Sequence, residues 1–128
     1  MAEKIDSFTG EKYLNLRTYR KSGEAVPTPV WFVQEGPTLY VRTGRQSGKV
    51  RRLTRHPGVD VAPCNYTGKL RDGWLSAQAQ VVDGEIDAHI EGLLRRKYGF
   101  QKRLIDWLGS FSKEKDQNLT ATVAIHLN

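Results

Sequence analysis

Short segments in which apolar and polar residues alternate run along most of the chain, and such alternation predicts β-strands. Residues 13–20 form the first segment and end at the turn sequence KSGE, after which residues 25–34 begin a second strand. Pro27 and Pro29 lack the backbone N–H that a strand donates within a sheet, so we expect the second strand at a sheet edge. Further strands are predicted for residues 38–43, 59–67, 74–83 and 119–127.

Two segments have helical periodicity instead. Ser47 is a good N-cap residue, and the sequence GKVRRLTRH that follows it places Val50 and Leu53 three residues apart before Pro57 ends the run. Asp83 is the expected N-cap of a second helix, and residues 101–111 continue the helical spacing of isoleucine and leucine. The whole pattern predicts a mainly β (α+β) fold, a six-stranded antiparallel β-barrel with short flanking helices.

Length and composition narrow the class of protein. A chain of 128 residues is long enough for one hydrophobic core, so we expect one domain over residues 1–128. The N-terminus has no apolar segment, and no run approaches the roughly 18 apolar residues of a membrane span, so we expect a cytoplasmic protein without membrane contact. The single cysteine, Cys64, excludes an internal disulfide, and three scattered histidines predict no metal site.

The charge distribution indicates an anionic ligand. The formal net charge is +6, and six arginines and lysines lie between Arg42 and Arg55, whereas no carboxylate occurs between Glu35 and Asp60. A nucleic acid, a membrane surface or the phosphate of a cofactor would each suit such a segment.

A helix that starts at Ser47 would offer a phosphate its free N-terminal amides. Gly48 would let an anion approach the backbone, Lys49 would add a full charge, and Arg45 or Arg52 could flank the anion. The alternative is that these cations only keep a surface helix solvated, as we expect for Arg51 and Arg55.

Aromatic side chains on the predicted strands provide a second indication. Trp31, Tyr40, Tyr66 and Trp74 could each stack on a flat ring. We expect Tyr40 and Tyr66 to pack in the core, and Trp74 to be partly exposed. Because aromatic residues among basic ones are also typical of barrels that bind single-stranded nucleic acid, that class stays open at this point.

Three stretches taken together resemble a known family. The sequences LRTYRKSGEAVPTPVWFV, LYVRTGRQSGKVRRLTRHPGVDVAPC and GWLSAQAQVV, within residues 13–83, resemble the split-barrel flavoproteins related to pyridoxamine 5′-phosphate oxidase. Within that family the chain is most similar to the oxidoreductases that use the deazaflavin coenzyme F-420, whose members often carry a helix similar to LLRRKYGFQKRL.

The resemblance implies a homodimer of six-stranded split barrels with two cofactors, FMN or coenzyme F-420, in clefts at the subunit interface. Lys49 matches the lysine that contacts the cofactor phosphate, with Ser47 and Gly48 in the adjoining turn and Thr43 at the end of the preceding strand. Trp74 falls where the partner subunit lends a residue to the cleft. The strand that runs beside the cofactor ring is matched by Thr28, Pro29, Val30 and Trp31.

The chain also departs from the oxidase itself. The ring-facing strand reads PTPVWF without the arginine that contacts the flavin, and the chain stops at Asn128, before the oxidase's further substrate residues. Vitamin B6 oxidation is therefore not expected, and the deazaflavin is favoured while FMN stays open.

The resulting hypothesis is a hydride-transfer reductase of a small-molecule substrate, in which the cofactor carries the chemistry and no protein residue is assigned as catalytic. Two alternatives stay open. One is a split barrel that binds FMN or haem without turnover. The other, which we consider less favoured, is a basic β-barrel that binds nucleic acid.

Overall fold

The computed structural model describes residues 5–99 and 120–128. These residues include seven strands and two α-helices. In chain order they are β1 (Tyr13–Tyr19), β2 (Ala25–Val30), β3 (Val33–Glu35), β4 (Thr38–Gly44), α1 (Gly48–Arg55), β5 (Gly58–Cys64), β6 (Leu75–Val82), α2 (Glu85–Tyr98) and β7 (Thr120–Leu127).

All the described strands belong to one antiparallel sheet with the order β2-β1-β5-β6-β7-β4-β3. The sheet is not closed among these residues, since β2 and β3 lie at its two edges. The predicted hairpin of the first two strands is confirmed, with Tyr19 opposite Ala25. The edge position of β2 is also confirmed, and Pro27 and Pro29 therefore cost the sheet no interior hydrogen bonds.

The predicted count of six strands is wrong, because the second predicted strand divides in two. The chain leaves β2 after Val30, and β3 pairs with β4 at the opposite edge of the sheet. The break lies at Trp31 and Phe32, where Phe32 turns into the core and donates its backbone N–H to the hydroxyl of Tyr98 on α2 at 3.0 Å. A tertiary contact thus replaces the strand ladder at this point.

The core has two parts. The larger cluster fills the inner face of the sheet and includes Leu14, Leu16, Val61, Val123 and Ile125, each at most 1% exposed. The smaller cluster lies between α2 and the outer side of β3 and β4. Each helix therefore covers a different part of the sheet.

The first helix begins as predicted. Ser47 is its N-cap, and its Oγ accepts the backbone N–H of Val50 at 3.3 Å. Val50 and Leu53 are its buried residues, and Pro57 lies two residues after its end at Arg55. The predicted N-cap at Asp83 is wrong. Here Gly84, with φ of 109°, starts α2 without a side-chain cap.

The carboxylate of Asp83 instead pairs with Arg45, at 2.9 Å between Oδ1 and Nη2. Its side chain is therefore directed at the loop before α1 rather than at the first amides of α2. The predicted continuation of the helical pattern over residues 101–111, and the first residue of the last predicted strand, lie outside the described residues. The rest of that strand corresponds to β7.

Candidate functional site

The N-terminus of α1 is held by local backbone geometry. The N–H of Ser47 donates to the carbonyl of Gly44 at 3.0 Å, which closes a tight turn between β4 and the helix. The hydroxyl of Ser47 then caps the amide of Val50. The backbone N–H groups of Gly48 and Lys49 have no acceptor within the helix, so they remain available to an external acceptor.

Two cations flank this helix start. The Nε of Arg52 donates to the hydroxyl of Thr18 on β1 at 2.6 Å. A Cβ placed on Gly48 would lie 2.6 Å from Nη1 of Arg52, so the guanidinium rests directly against the first turn. Burial lowers the pKa of Lys49, and the nearby charge of Arg52 lowers it further. Ser47, Gly48, Lys49 and Arg52 form what we call the candidate phosphate site.

The charge of this site is not balanced by the protein. Among the described residues, no carboxylate lies within ion-pair distance of Lys49 or Arg52. Burial also lowers the pKa of Arg52, with further contributions from Arg20, Arg51 and Arg55. Because arginine still keeps its proton near neutral pH, the folded chain holds two cations in a place that disfavours both. An anion bound between them would relieve this cost.

The remaining arginines of the basic stretch act elsewhere. Arg45, one of the two expected flanking residues, forms its ion pair with Asp83. Arg51 donates to the carbonyl of Gln46 at 2.8 Å, and Arg51 and Arg55 are exposed, as expected for a solvated helix face. Of the two residues expected to flank an anion, Arg52 lies against the first turn of α1, and its role towards an anion stays a prediction.

The sheet connects the candidate phosphate site to β2. Thr18, which accepts from Arg52, lies opposite Val26, and Leu16 lies opposite Thr28. Residues directly opposite each other in an antiparallel pair share a face of the sheet. Thr28 therefore lies on the same face as Thr18, about 7 Å along the strand from Val26. Val30 follows on this face and packs against the larger cluster.

Thr43 lies near the other side of the same helix start. It is opposite Ala121 in the pairing of β4 with β7, on the face that carries the larger cluster. It immediately precedes Gly44, whose carbonyl accepts from Ser47. Thr28, Thr43 and the candidate phosphate site are thus brought to one side of the sheet.

Pro29 and Trp74 lie on the opposite face. Pro29 is opposite Asn15, which alternates with Leu14 and Leu16 along β1. The guanidinium of Arg17 lies 4.0 Å from the centre of the Trp74 ring and pairs with Asp60 at 2.9 Å. Trp74 is partly exposed, as predicted. Within one chain it is separated from α1 by the sheet, so its expected place in a partner's cleft stays a prediction.

Trp31 is used in packing. Its ring stacks on Tyr98, with 4.2 Å between the centroids and 10° between the planes. The hydroxyl of Tyr98 accepts the N–H of Phe32 and lies 2.7 Å from the carbonyl of Lys12, to which it can donate. Burial raises the pKa of Tyr98. These contacts give Tyr98 a packing role and fix the corner that follows β2.

Lys97 adds a contact at this corner that the sequence did not indicate. Its Nζ donates to the carbonyl of Phe32 at 2.9 Å and lies 3.6 Å from the centre of the Phe32 ring. Although part of the side chain is exposed, burial of the ammonium lowers the pKa of Lys97 to about 8, against an opposing effect of Glu11.

The two tyrosines expected in the core differ. Tyr40 packs against the smaller cluster, but the prediction for Tyr66 is wrong, since 72% of that side chain is exposed. Tyr66 belongs to the turn between Asn65 and Gly68, where the Asn65 side chain accepts from Thr67 and Lys69 instead of a strand partner.

A groove of about 350 Å³ lies at the other end of α1. None of the residues predicted for the cofactor site line it. We call it the β6 groove, and it is lined by Leu53, Thr54, Pro57, Gln78, Ala79, Gln80, Val81 and His126. Nothing in the sequence pattern distinguishes these positions, because their proximity depends on where β5 begins.

Other chemistry is limited in the described part of the chain. Cys64 is buried, and burial raises the pKa of its thiol, which disfavours the reactive thiolate. No group of three or more potential metal ligands occurs among residues 5–99 and 120–128. Neither described helix has the length and apolar character needed to span a membrane.

Comparison with known proteins identifies the fold. No protein-family model and no curated protein matches the sequence. Solved structures do match, and they define the split-barrel fold of pyridoxamine 5′-phosphate oxidase-like proteins. The chain therefore has a split-barrel-like fold, mainly β with two helices and an open seven-stranded sheet among the described residues.

Three solved structures illustrate the match. A Listeria innocua protein proposed to be a pyridoxamine 5′-phosphate oxidase has a TM-score of 0.70 and 15% identity, over 99% of this chain and 92% of that one. The haem storage protein HutZ of Vibrio cholerae has a TM-score of 0.71 and 17% identity, over 99% and 89%. An F420 reductase has a TM-score of 0.63 and 16% identity, over 96% and 92%.

Proposed function

We propose that this protein is an oxidoreductase that binds FMN or coenzyme F-420 and transfers a hydride between that cofactor and a small-molecule substrate. The observation that carries the proposal is the pair of unneutralised cations, Lys49 and Arg52, at the capped N-terminus of α1.

The residues of the candidate phosphate site suit a phosphate chemically. Free amides at a helix start and the positive end of its dipole both favour an anion. The hydrogen bond to Thr18 uses Nε of Arg52 and leaves Nη1 and Nη2 as further donors. The planar guanidinium can therefore contact two phosphate oxygens. Gly48 leaves room for this arrangement, since any larger side chain would collide with the guanidinium.

The adjacent strand suits the ring of such a cofactor. Val26 and Thr28 of edge strand β2 lie on the face of the sheet that carries the candidate phosphate site. The outer backbone edge of β2 has no strand partner among the described residues. Pro27 and Pro29 lie on that strand, and the backbone groups that remain can contact a ligand. When bound, the flavin or deazaflavin would supply the hydride chemistry, while the chain would position the cofactor and exclude water.

The preference for the deazaflavin rests on the charges near β2. Arg17 lies opposite Pro27, but Asp60 neutralises it and Tyr19 also donates to that carboxylate. Neither β1 nor β2 would therefore offer an uncompensated cation to a bound ring, which disfavours an anionic reduced flavin.

We further propose that the functional unit is a homodimer. Trp74 is presented on the face away from its own α1, together with the cation of Arg17. In a dimer this face could contribute to the partner's cofactor cleft, so each site would be complete only with both chains.

The proposal is tested by titrating the purified protein with FMN, coenzyme F-420 and haem while following tryptophan emission and visible absorbance. We expect saturable binding of FMN or F-420 with one cofactor per chain, and turnover with an electron donor and a panel of small acceptors.

Haem binding alone would replace the proposal with a non-catalytic haem protein. Binding of FMN or F-420 without turnover of any acceptor would support a carrier or sensor. Binding of single-stranded nucleic acid with a steep salt dependence, and of no cofactor, would refute it in favour of the nucleic-acid alternative.

A further inference from the structure

The β6 groove exists because the pairing of β6 with β5 does not continue beyond Pro57, at the N-terminal end of β5. The N–H of Ala79 on β6 donates to the carbonyl of Pro57 at 2.9 Å, one residue before β5 begins. In an antiparallel pair the opposite residue would return a hydrogen bond from its own N–H. Pro57 has no N–H, so this position cannot satisfy the carbonyl of Ala79.

The register of β6 shows where its next backbone groups point. The carbonyl of Ser76 accepts the backbone N–H of Asn128. The backbone groups of Ser76, Gln78 and Gln80 therefore point towards β7. Ala79 directs its groups towards β5, and Val81, two residues further along, does the same. The position opposite Val81 is Arg55, which is already the last residue of α1.

The backbone N–H and C=O of Val81 therefore face a space that no strand occupies. Within the part of the chain that the structure describes, neither group has a hydrogen bond on that side. Both groups belong to a residue that lines the β6 groove. The groove thus contains an adjacent donor and acceptor that are fixed by the sheet.

The walls of the groove combine apolar surface with polar groups. Leu53, Pro57 and the side chain of Val81 supply apolar surface, and His126 and the amide of Gln78 lie at the polar rim. A volume of about 350 Å³ lies at the lower end of the range for small-molecule sites. One or two rings fit such a volume, whereas a peptide chain of several residues does not.

We propose that the β6 groove binds a flat heterocycle through a lactam edge, meaning a ring N–H next to a ring C=O. The ring N–H would donate to the carbonyl of Val81, and the ring C=O would accept the N–H of Val81. The inference does not depend on the candidate phosphate site, which lies at the opposite end of α1.

The test uses uracil as the probe and 1,3-dimethyluracil as its matched control, because the control has the same ring without an N–H. In ¹⁵N-resolved NMR spectra of the full chain, we expect uracil to shift the amide signals of Val81 and Gln80 saturably in the millimolar range. Binding of the control should be about tenfold weaker or more, since it leaves the carbonyl of Val81 unpaired. Equal binding of the two probes, or no saturable shift at Val81, would overturn the inference.

Two variants locate the site. Thr54→Trp places a large side chain at the groove from the exposed face of α1 and should abolish the uracil shifts. Arg51→Trp adds the same bulk to the same helix away from the groove and should leave the shifts intact. Unchanged uracil binding in Thr54→Trp, with Arg51→Trp as the reference, would refute the assignment.

The lactam edge could come from a separate substrate or from the pyrimidine edge of the cofactor. Competition separates these sources. If saturating FMN leaves the uracil shifts unchanged, the groove takes a separate heterocycle. If FMN displaces uracil, the groove receives the pyrimidine edge of the cofactor. If neither FMN nor F-420 binds at all, the proposed function fails, while the uracil result still decides the lactam site.

Discussion

Replacing Lys49 by methionine removes one of the two unneutralised cations while keeping much of the buried stem of the side chain. Burial and the charge of Arg52 both lower the pKa of Lys49, so the ammonium is disfavoured in the cofactor-free protein. The variant should therefore fold at least as stably as the wild type. Relief of a like-charge contact between partly exposed groups contributes roughly 0.5 kcal/mol.

Cofactor binding should change in the opposite direction. A hydrogen bond between a lysine ammonium and a phosphate contributes about 1.5–3 kcal/mol, which corresponds to a loss of roughly 10- to 150-fold in affinity. The pH dependence follows from the lowered pKa. Binding in the wild type should weaken as pH rises through the pKa of Lys49, below the ordinary lysine value, whereas binding in the variant should lack this alkaline loss.

The assay is a fluorescence titration of FMN and F-420 between pH 7 and 10, with thermal unfolding of the cofactor-free proteins in parallel. Arg96→Gln removes one positive charge from an exposed position on α2 and serves as the matched control. The reasoning would be refuted if Lys49→Met bound the cofactor as tightly as the control, or if it lowered affinity only because the variant was markedly less stable.

Three further predictions concern single residues. Gly48→Ala should change the free energy of unfolding by less than about 1 kcal/mol, because only the flexible end of the Arg52 side chain must move. Cofactor titration should nevertheless detect weaker binding, because the guanidinium is displaced. Unchanged affinity would contradict this prediction. Tyr98→Phe should lower the free energy of unfolding, measured with denaturant, by roughly 1–3 kcal/mol, because the buried backbone N–H of Phe32 loses its acceptor. Tyr98→Leu should lower it further. A neutral effect of both variants would disprove the role of this contact. The side-chain NMR signals of Lys97 should titrate near pH 8, and because the unfolded chain binds this proton more tightly, thermal stability should rise between about pH 8 and pH 10 in the wild type. This rise should be absent in Lys97→Met. Titration at the ordinary lysine value would show that the ammonium of Lys97 is not buried.

Features that depend on local sequence were predictable. The prolines of β2 fix an edge position because a missing N–H has the same effect in any sheet. The start of α1 at Ser47 follows from a capping side chain and two apolar residues at helical spacing. The candidate phosphate site could be located from the sequence for this reason, since its residues lie within six positions of one another.

Features that depend on distant contacts were not predictable. The division of the second predicted strand requires Tyr98, 66 residues away, to bond with the backbone of Phe32. The ion pair of Asp83 with Arg45 could not be chosen over a helix cap from the spacing of either residue. The β6 groove depends on the register of three strands, in which the role of Pro57 is visible only once Ala79 is placed beside it.

The central claim is that the N-terminus of α1 anchors the phosphate of a flavin or deazaflavin. The most direct measurement is the ratio of the dissociation constants of riboflavin and FMN, or of the corresponding pair of deazaflavins with and without phosphate. Two charge-assisted contacts, from Lys49 and Arg52, predict that the phosphate strengthens binding by roughly 10²- to 10⁴-fold. Equal dissociation constants with and without the phosphate would contradict the account.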